Sequence, residues 1–258
     1  MKIIHFILTL FALAACNTKQ DAKESSRLNN QSKILIHNNK LDEALKVVEK
    51  SIQLDPTNYA AYNNRAYINT KKNKPNAQVL SDYYKALSIK PGYDISLYSL
   101  TNYYFSVKNY DSTIARANIY FDYSNKYNFD KKLTQHIYAI RGESKYMLTE
   151  FDNAILDLNK AIELDSTKAG SYKLLGDCYL YKNSIERAIR ELNKAIQLDS
   201  NYYQAYLGRA NCYEKLKTSF FLTLAEQDYI SAFKINADAE NIYETNSRLF
   251  IQIKQMSK

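Results

Sequence analysis

The sequence predicts an all-α fold of stacked antiparallel helix pairs, and three observations support this prediction. First, Leu158–Ser166 (LNKAIELDS) recurs almost unchanged as Leu192–Ser200 (LNKAIQLDS), 34 residues later. Second, the 258 residues include only 5 Gly and 3 Pro, which favours long uninterrupted helices over strands and loops. Third, small residues recur at equivalent positions of the two copies, where closely packed helices need them.

The first sixteen residues, MKIIHFILTLFALAAC, have the pattern of a secretory signal that ends in a cysteine. Lys2 precedes an apolar run, small residues follow it, and the run is short for a bilayer core of about 30 Å. Leu13–Cys16 (LAAC) resembles the bacterial lipobox. This resemblance implies removal of the signal peptide, residues 1–15, and lipidation of Cys16 with palmitate-type acyl chains. The alternative is an ordinary cleaved signal that happens to contain a cysteine.

The lipobox resemblance implies a lipoprotein anchored to a membrane of the bacterial cell envelope. Asn17 follows the cysteine where Asp would favour inner-membrane retention, so we expect the outer membrane rather than the inner membrane. Residues 16–24 are polar after the cysteine, and we expect a flexible tether that keeps the protein close to the membrane. Whether the protein faces the periplasm or the cell surface stays open.

The 34-residue period extends along the chain, and we number its copies repeats 1 to 6. The copies occupy residues 25–58, 59–93, 94–127, 135–168, 169–202 and 203–238. Extra residues near Pro75–Asn76 and within Thr218–Thr223 are expected in the turns between paired helices. Repeat 3 is the weakest copy, because Thr113 and Tyr120 occupy its small-residue positions. The seven residues Asn128–Thr134 then predict a longer connection or an irregular repeat.

Repeat 5 carries the clearest motif. Its defining residues are Tyr172, Leu175, Gly176, Tyr179, Ala188, Leu192 and Ala195. This pattern resembles the tetratricopeptide repeat (TPR), W-x2-L-G-x2-Y…A-x3-F…P, with Tyr in place of Trp and Ser200 in place of Pro. The resemblance implies a right-handed α-solenoid of about six helix-turn-helix units. Residues 239–258 are predicted to form a C-terminal capping helix, because their apolar residues share one side.

The charge and the reactive residues exclude several function classes. The net charge is +8, but basic and acidic residues are interspersed along the helices and no basic stripe is visible, so we expect no nucleic-acid partner. No metal-ligand spacing, phosphate loop or nucleophile motif occurs, so we predict no metal, no cofactor, no catalytic residue and no enzyme. Cys178 and Cys212 occupy equivalent positions of adjacent repeats. At about one helix-packing distance they are too far apart for a disulfide, and we predict buried small side chains.

In TPR proteins the first helix of each repeat lines a groove that takes an extended peptide or a partner helix. The residues at these positions are Asn63, Tyr67, Tyr98, Asn102, Phe105, Glu143, Tyr146, Met147, Lys173, Asp177, Tyr181, Asn211 and Glu214. Tyrosine suits recognition, although packing against neighbouring repeats is the alternative for each one. The set that binds a C-terminal carboxylate in chaperone cochaperones is not reproduced, because Asp177 follows Lys173 and Gly208 replaces a basic or amide residue.

Together these features predict a membrane-anchored, non-catalytic adaptor or scaffold that binds another envelope protein or a peptide segment of one. The alternative is an envelope lipoprotein that binds a glycan or a small molecule. Starch-uptake lipoproteins of Bacteroidota contain such repeats together with long binding loops, whereas the interruptions here are short. A hydrolase whose site is assembled from distant residues ranks last, because no insertion forms a pocket. The partner, the cellular process and the oligomeric state stay open.

Overall fold

The structure, a computed structural model, describes the backbone of residues 2–236 and the side chains of residues 18–236. Over this range it contains twelve helices in consecutive antiparallel pairs and no strand, which confirms the all-α prediction. The helices are α1 (Lys2–His37), α2 (Leu41–Leu54), α3 (Tyr59–Lys71), α4 (Asn76–Ile89), α5 (Asp94–Ser106), α6 (Tyr110–Ser124), α7 (Lys131–Met147), α8 (Phe151–Leu164), α9 (Ala169–Tyr181), α10 (Ile185–Leu198), α11 (Tyr203–Leu216) and α12 (Ser219–Ile235). The predicted capping helix at 239–258 and the side chain of Cys16 lie outside the described residues.

The N-terminal helix differs from the expected flexible tether. Residues 16–24 are helical, because α1 continues without a break through them into repeat 1. The segment contains neither Gly nor Pro. Glu24 and Arg27, one helical turn apart, form an ion pair at 2.7 Å that supports the helix. Of the helices in the described part of the chain, none has both the length and the apolar character needed to cross a membrane.

The chain divides into two compact units. The N-terminal unit comprises residues up to Lys108 together with Ala115–Asn128, and the C-terminal unit comprises Asn109–Ile114 together with the chain from Phe129 onward. The division falls within α6, the second helix of repeat 3, which is the repeat that the sequence marks as weakest. Thr113 and Tyr120 nevertheless occupy its small-residue positions fully buried.

Small residues lie where the paired helices come closest, as predicted. The helix-contact positions Ala44, Ala154 and Ala188 are fully buried. A Cβ added to Gly176 would lie only 2.7 Å from Cγ of Leu192, and one added to Gly142 would lie 3.0 Å from Cγ of Leu158. The absence of a side chain at these two glycines therefore sets the spacing of the first and second helices in repeats 4 and 5.

Each repeat reverses its chain at one left-handed residue. The six described non-glycine residues with positive φ are Asn39, Asn73, Lys108, Thr149, Asn183 and Lys217. All six are the fifteenth residue of their repeat, between the first and second helix. Asparagine tolerates this conformation, whereas the β-branched Thr149, at φ 61°, adopts it at an energetic cost.

The turns between repeats use aspartate. The Oδ1 atoms of Asp55, Asp165 and Asp199 each accept a hydrogen bond of 2.9 Å from the backbone N–H two residues ahead. These Asx turns end one second helix and lead into the next first helix, which explains the repeated Leu-Asp of the sequence.

The extra residues of repeats 4 and 6 lengthen helices, and the expectation that those of repeat 6 extend the turn is wrong. In repeat 6 the turn is short, and α12 has 17 residues where α10 has 14. Similarly, Lys131–Thr134 belong to α7, and only the remainder of that insertion lengthens the connection. A helix accommodates added residues here because Asp130 and Thr218 provide new N-terminal caps. The extra residue near Pro75 does lie in the turn before α4.

Buried ion pairs join the two helices of alternate repeats. The pairs are Arg65 with Asp82, Arg141 with Asp157 and Arg209 with Asp228. In each pair guanidinium Nε and Nη2 donate to the two carboxylate oxygens at 2.6–2.8 Å. Repeat 5 lacks this pair, because Leu175 and Glu191 occupy the equivalent positions.

Candidate functional site

The first helices of successive repeats lie side by side within each unit. In the N-terminal unit α3 contacts both α1 and α5, and in the C-terminal unit α9 contacts both α7 and α11. The predicted groove residues therefore lie on neighbouring helices in each unit. We call these two sets of residues the N-terminal and C-terminal first-helix surfaces, defined by the predicted residues of α3 and α5 and of α7, α9 and α11.

The N-terminal first-helix surface engages several of its predicted residues internally. Asn63 is only 4% exposed, and its Oδ1 accepts a hydrogen bond of 3.1 Å from the Ser96 hydroxyl, so it joins α3 to α5 instead of facing solvent. The Nδ2 of Asn102 donates to the carbonyl of Tyr98 one turn earlier. Tyr67 is the exposed member of the set. The remaining predicted residue of this surface, Phe105, is half-buried near the end of α5.

The C-terminal first-helix surface contains a charged cluster centred on Lys173. Its Nζ donates to Oδ2 of Asp177 at 2.6 Å, one helical turn along α9. Burial lowers the pKa of Lys173, but the charge of Asp177, together with Tyr202 and Glu143, outweighs burial and raises the pKa overall. Glu143 on α7 is exposed, yet desolvation raises the pKa of its carboxyl against the opposing charge of Lys173. One ammonium group thus pairs with Asp177 and acts on Glu143 only through its charge.

An aromatic cluster adjoins these charges. The rings of Phe151 and Tyr181 stack at 4.9 Å with 8° between their planes, and Tyr146 meets each of them edge-on at 5.8 Å. Tyr181 is 65% exposed, and Met147 beside it in the predicted set is 49% exposed. Burial raises the pKa of Tyr146, and the Asp177 charge raises it further, which places the aromatic cluster next to the carboxylates.

The last two predicted residues have a partner from the second helix of their own repeat. Asn211 Oδ1 and Glu214 Oε2 each lie 3.0 Å from the hydroxyl of Tyr229, which donates from the fully buried ring on α12. The structure thus connects Asn211 and Glu214 to the core of repeat 6, whereas it brings Glu143, Tyr146, Lys173, Asp177 and Tyr181 together on α7 and α9.

Two residues of the site are absent from the sequence prediction. Phe151 is the first residue of α8, a second helix, and Tyr202 precedes α11 in the turn between repeats. Both positions flank the first helices, so a groove prediction limited to first helices omits them. The signal that indicates Phe151 is the change from Ile185, its equivalent in repeat 5, to an aromatic residue beside Tyr146.

The buried cysteines and the surface carboxylates offer no assembled catalytic group. Cys178 and Cys212 are fully buried and free, and burial raises the pKa of each thiol to about 12, which leaves them protonated and unreactive. Within the described residues, no cluster of three or more His, Cys, Asp or Glu side chains could hold a metal ion. The C-terminal first-helix surface carries aromatic rings, carboxylates and an ammonium group.

Comparison with known proteins agrees with this architecture. Two family models match: "TPR repeat" over residues 176–217 and "Tetratricopeptide repeat" over residues 26–58. No curated protein sequence matches the chain.

Solved structures share the fold at low sequence identity. A Pseudomonas aeruginosa PilF structure superimposes with a TM-score of 0.70 at 13% identity, over 93% of this chain and 100% of PilF. PilW, described as a widely conserved type IV pilus biogenesis factor, gives 0.65 at 15% identity, over 89% of this chain and 97% of PilW. YrrB, described as a TPR protein with an unusual peptide-binding site, gives 0.63 at 16% identity, over 81% of this chain and 97% of YrrB. The chain therefore contains tetratricopeptide repeats and has the fold of TPR proteins.

Proposed function

We propose that this protein is a lipid-anchored, non-catalytic adaptor of the bacterial cell envelope whose C-terminal first-helix surface binds a peptide segment of another protein. The observation that carries the proposal is that exposed Met147 and Tyr181 end the adjacent first helices α7 and α9, which also carry Glu143 and Lys173. Large apolar side chains at 65% and 49% exposure are costly to hydrate, and a bound segment would cover them.

Two further arguments support the proposal. TPR repeats serve as scaffolds for protein–protein interaction, and YrrB, which shares the fold, is described as having a peptide-binding site. Tyrosine and methionine are enriched at protein interfaces relative to the rest of the protein surface. The anchoring part of the proposal rests on Leu13–Cys16 alone, and outer-membrane rather than inner-membrane placement rests on Asn17.

Photo-cross-linking tests the binding surface with a matched control. A photoreactive amino acid at Tyr181, 65% exposed on α9, is compared with one at Leu156, 66% exposed on α8. We expect a cross-linked envelope protein from position 181 and none from position 156. Equal cross-linking from both positions, or none from 181 in intact cells, would contradict the proposed surface.

Anchoring is tested separately through the cysteine. Cys16→Ala removes the only thiol of the LAAC segment. We expect the wild-type chain in the membrane fraction with its sulfur acylated in mass spectra, and the variant outside that fraction. A wild-type chain with an unmodified thiol would refute the anchor while leaving the binding surface untouched.

A further inference from the structure

Asp177 presents a carboxylate oxygen without a hydrogen bond on the C-terminal first-helix surface. The residue is only 8% exposed, and its single hydrogen bond among described residues joins Oδ2 to Lys173 at 2.6 Å. The other oxygen, Oδ1, lies beside Gly208 on α11, where an added Cβ would be 3.4 Å away. Gly208 has no side chain that could donate a hydrogen bond to Oδ1. A carboxylate oxygen with little access to water and no donor gains free energy from pairing with a cation.

Glu143 adds a second carboxylate with no direct partner. No described residue forms a hydrogen bond or ion pair with it, and Lys173 acts on it only through its charge. The ammonium of Lys173 donates to Asp177 at 2.6 Å, and no hydrogen bond joins it to Glu143. The local balance is therefore one positive charge against two negative charges, on a chain whose net charge is +8. At physiological ionic strength charges are screened over about 8 Å, so this local excess governs what binds here.

The aromatic cluster lies next to this negative excess. Tyr146, Phe151 and Tyr181 present ring faces and edges within 6 Å of one another, with Tyr181 largely exposed. Ring faces attract cations, and an exposed stacked pair accepts a planar or aliphatic side chain. Carboxylates beside aromatic rings are the combination that accommodates a basic side chain together with an apolar neighbour.

We propose that the peptide segment bound on this surface carries a basic residue next to an aromatic or large aliphatic residue. The ammonium or guanidinium group pairs with the exposed Glu143 carboxylate and the unbonded Oδ1 of Asp177, and the apolar neighbour packs on Tyr181 and Phe151. An acidic segment is excluded, because its carboxylate would meet two carboxylates that share one lysine. This inference rests on the proposed peptide-binding function and specifies the chemistry of its partner.

Panning a displayed library of random nonapeptides on the full-length chain in detergent tests both the peptide-binding function and the inferred chemistry of the peptide. We expect enrichment of Lys or Arg beside Phe, Tyr, Leu or Met. Enrichment of sequences rich in Asp and Glu would overturn this inference and retain the peptide-binding function. No enrichment at all would overturn both.

Two synthetic probes then measure the charge preference. We compare the amidated, acetylated peptide Ser-Phe-Lys-Phe-Ser with its Ser-Phe-Glu-Phe-Ser counterpart by fluorescence anisotropy. The lysine probe should bind at least about tenfold more tightly, which corresponds to about 1.4 kcal/mol. Equal affinities, or a preference for the glutamate probe, would overturn the inference.

Charge-neutral variants assign the preference to the two carboxylates. Glu143→Gln and Asp177→Asn should each weaken the lysine probe about tenfold and leave the glutamate probe no weaker. The matched control is Glu163→Gln, an exposed pair member on α8 and the same change that the sequence makes at Gln197. Circular dichroism checks that each variant is folded. If Asp177→Asn disturbs packing, Glu143→Gln still tests the inference, because Glu143 is exposed. Unchanged affinity in Glu143→Gln would refute the role of that carboxylate in cation recognition.

Discussion

Replacing Gly176 with Ala should destabilise the protein, although alanine is the better helix former. Gly176 lies within α9 where α10 approaches most closely. A Cβ there would lie 2.7 Å from Cγ of Leu192 and 3.3 Å from the carbonyl oxygen of Ala188. Leu192 is fully buried and also packs beside Gly208 of α11, so it has no free space into which to move. The strain must therefore separate α9 from α10 or distort the leucine rotamer.

The size of the effect follows from two opposing contributions. Carbon atoms in contact lie about 3.5–4.0 Å apart, so Leu192 or a helix axis must shift by about 1 Å. Overpacking of this kind costs about 1–3 kcal/mol, whereas Gly→Ala in a helix interior gains about 1 kcal/mol. We expect a net loss of about 1 kcal/mol in the free energy of unfolding of Gly176→Ala.

Urea denaturation followed by far-ultraviolet circular dichroism measures this loss against a control on the same helix. Gly170 is exposed in the first turn of α9, and the nearest atom to an added Cβ is the hydroxyl of Tyr202, 3.8 Å away. Gly170→Ala should therefore raise stability by roughly 0.5 kcal/mol. If Gly176→Ala proves as stable as Gly170→Ala, close packing at position 176 is not what keeps the glycine there.

A double-mutant cycle identifies the contact responsible. Leu192→Ala removes the atom that clashes, at its own cost of about 2–5 kcal/mol. In that background Gly176→Ala should become neutral or stabilising, because only the gain in helix propensity is left. The coupling energy between the two sites should be about 1–3 kcal/mol. Additive effects would show that the strain arises elsewhere, for instance at the carbonyl of Ala188.

Three further predictions concern the turns, the buried ion pairs and an unpaired acid. Thr149→Asn should raise the free energy of unfolding by about 0.5–1 kcal/mol in urea titrations, because asparagine tolerates positive φ; a loss would contradict the strain. Asp157→Asn should lower the free energy of unfolding by about 3 kcal/mol, because Arg141 is left buried without its carboxylate partner. The control Glu163→Gln, at an exposed ion pair, should change it by no more than about 0.5 kcal/mol. Burial raises the pKa of Glu191, so ionisation opposes folding as pH rises above 4.5. The urea midpoint of unfolding of Glu191→Gln should therefore be higher than that of the wild type at pH 7, and the two midpoints should be equal well below pH 4.5.

The fold could be predicted from the sequence because its repeated positions report packing directly. Helices pack closely only where side chains are small, so Gly142 and Gly176, 34 residues apart, mark the same contact in two repeats. The lengthening of α12 could not be predicted in this way. A three-residue insertion changes the period equally whether it extends a turn or a helix, and the cap at Thr218 decides between the two.

The candidate site could be predicted only in part. Position within the repeat places Lys173 and Tyr181 on the first helix of repeat 5, since helical spacing determines which face a residue occupies. Position within the repeat could not distinguish these two residues from Asn63, whose side chain is buried and accepts a hydrogen bond from Ser96 of the next repeat. Nor could it include Phe151, whose ring reaches the surface from a second helix. These outcomes depend on contacts between repeats, which a single-repeat pattern does not contain.

The distribution of charge in repeat 5 connects its fold to its proposed role. Its hairpin has Leu175 and Glu191 where repeat 4 has the buried pair of Arg141 and Asp157, so its second helix is held by apolar packing without an internal ion pair. The ion pair of repeat 5, Lys173 with Asp177, instead lies on the first-helix surface, within one helix. Charge-neutral substitution of Asp177 is therefore expected to alter what the proposed surface binds, whereas the same substitution of Asp157 in repeat 4 is expected to destabilise the hairpin.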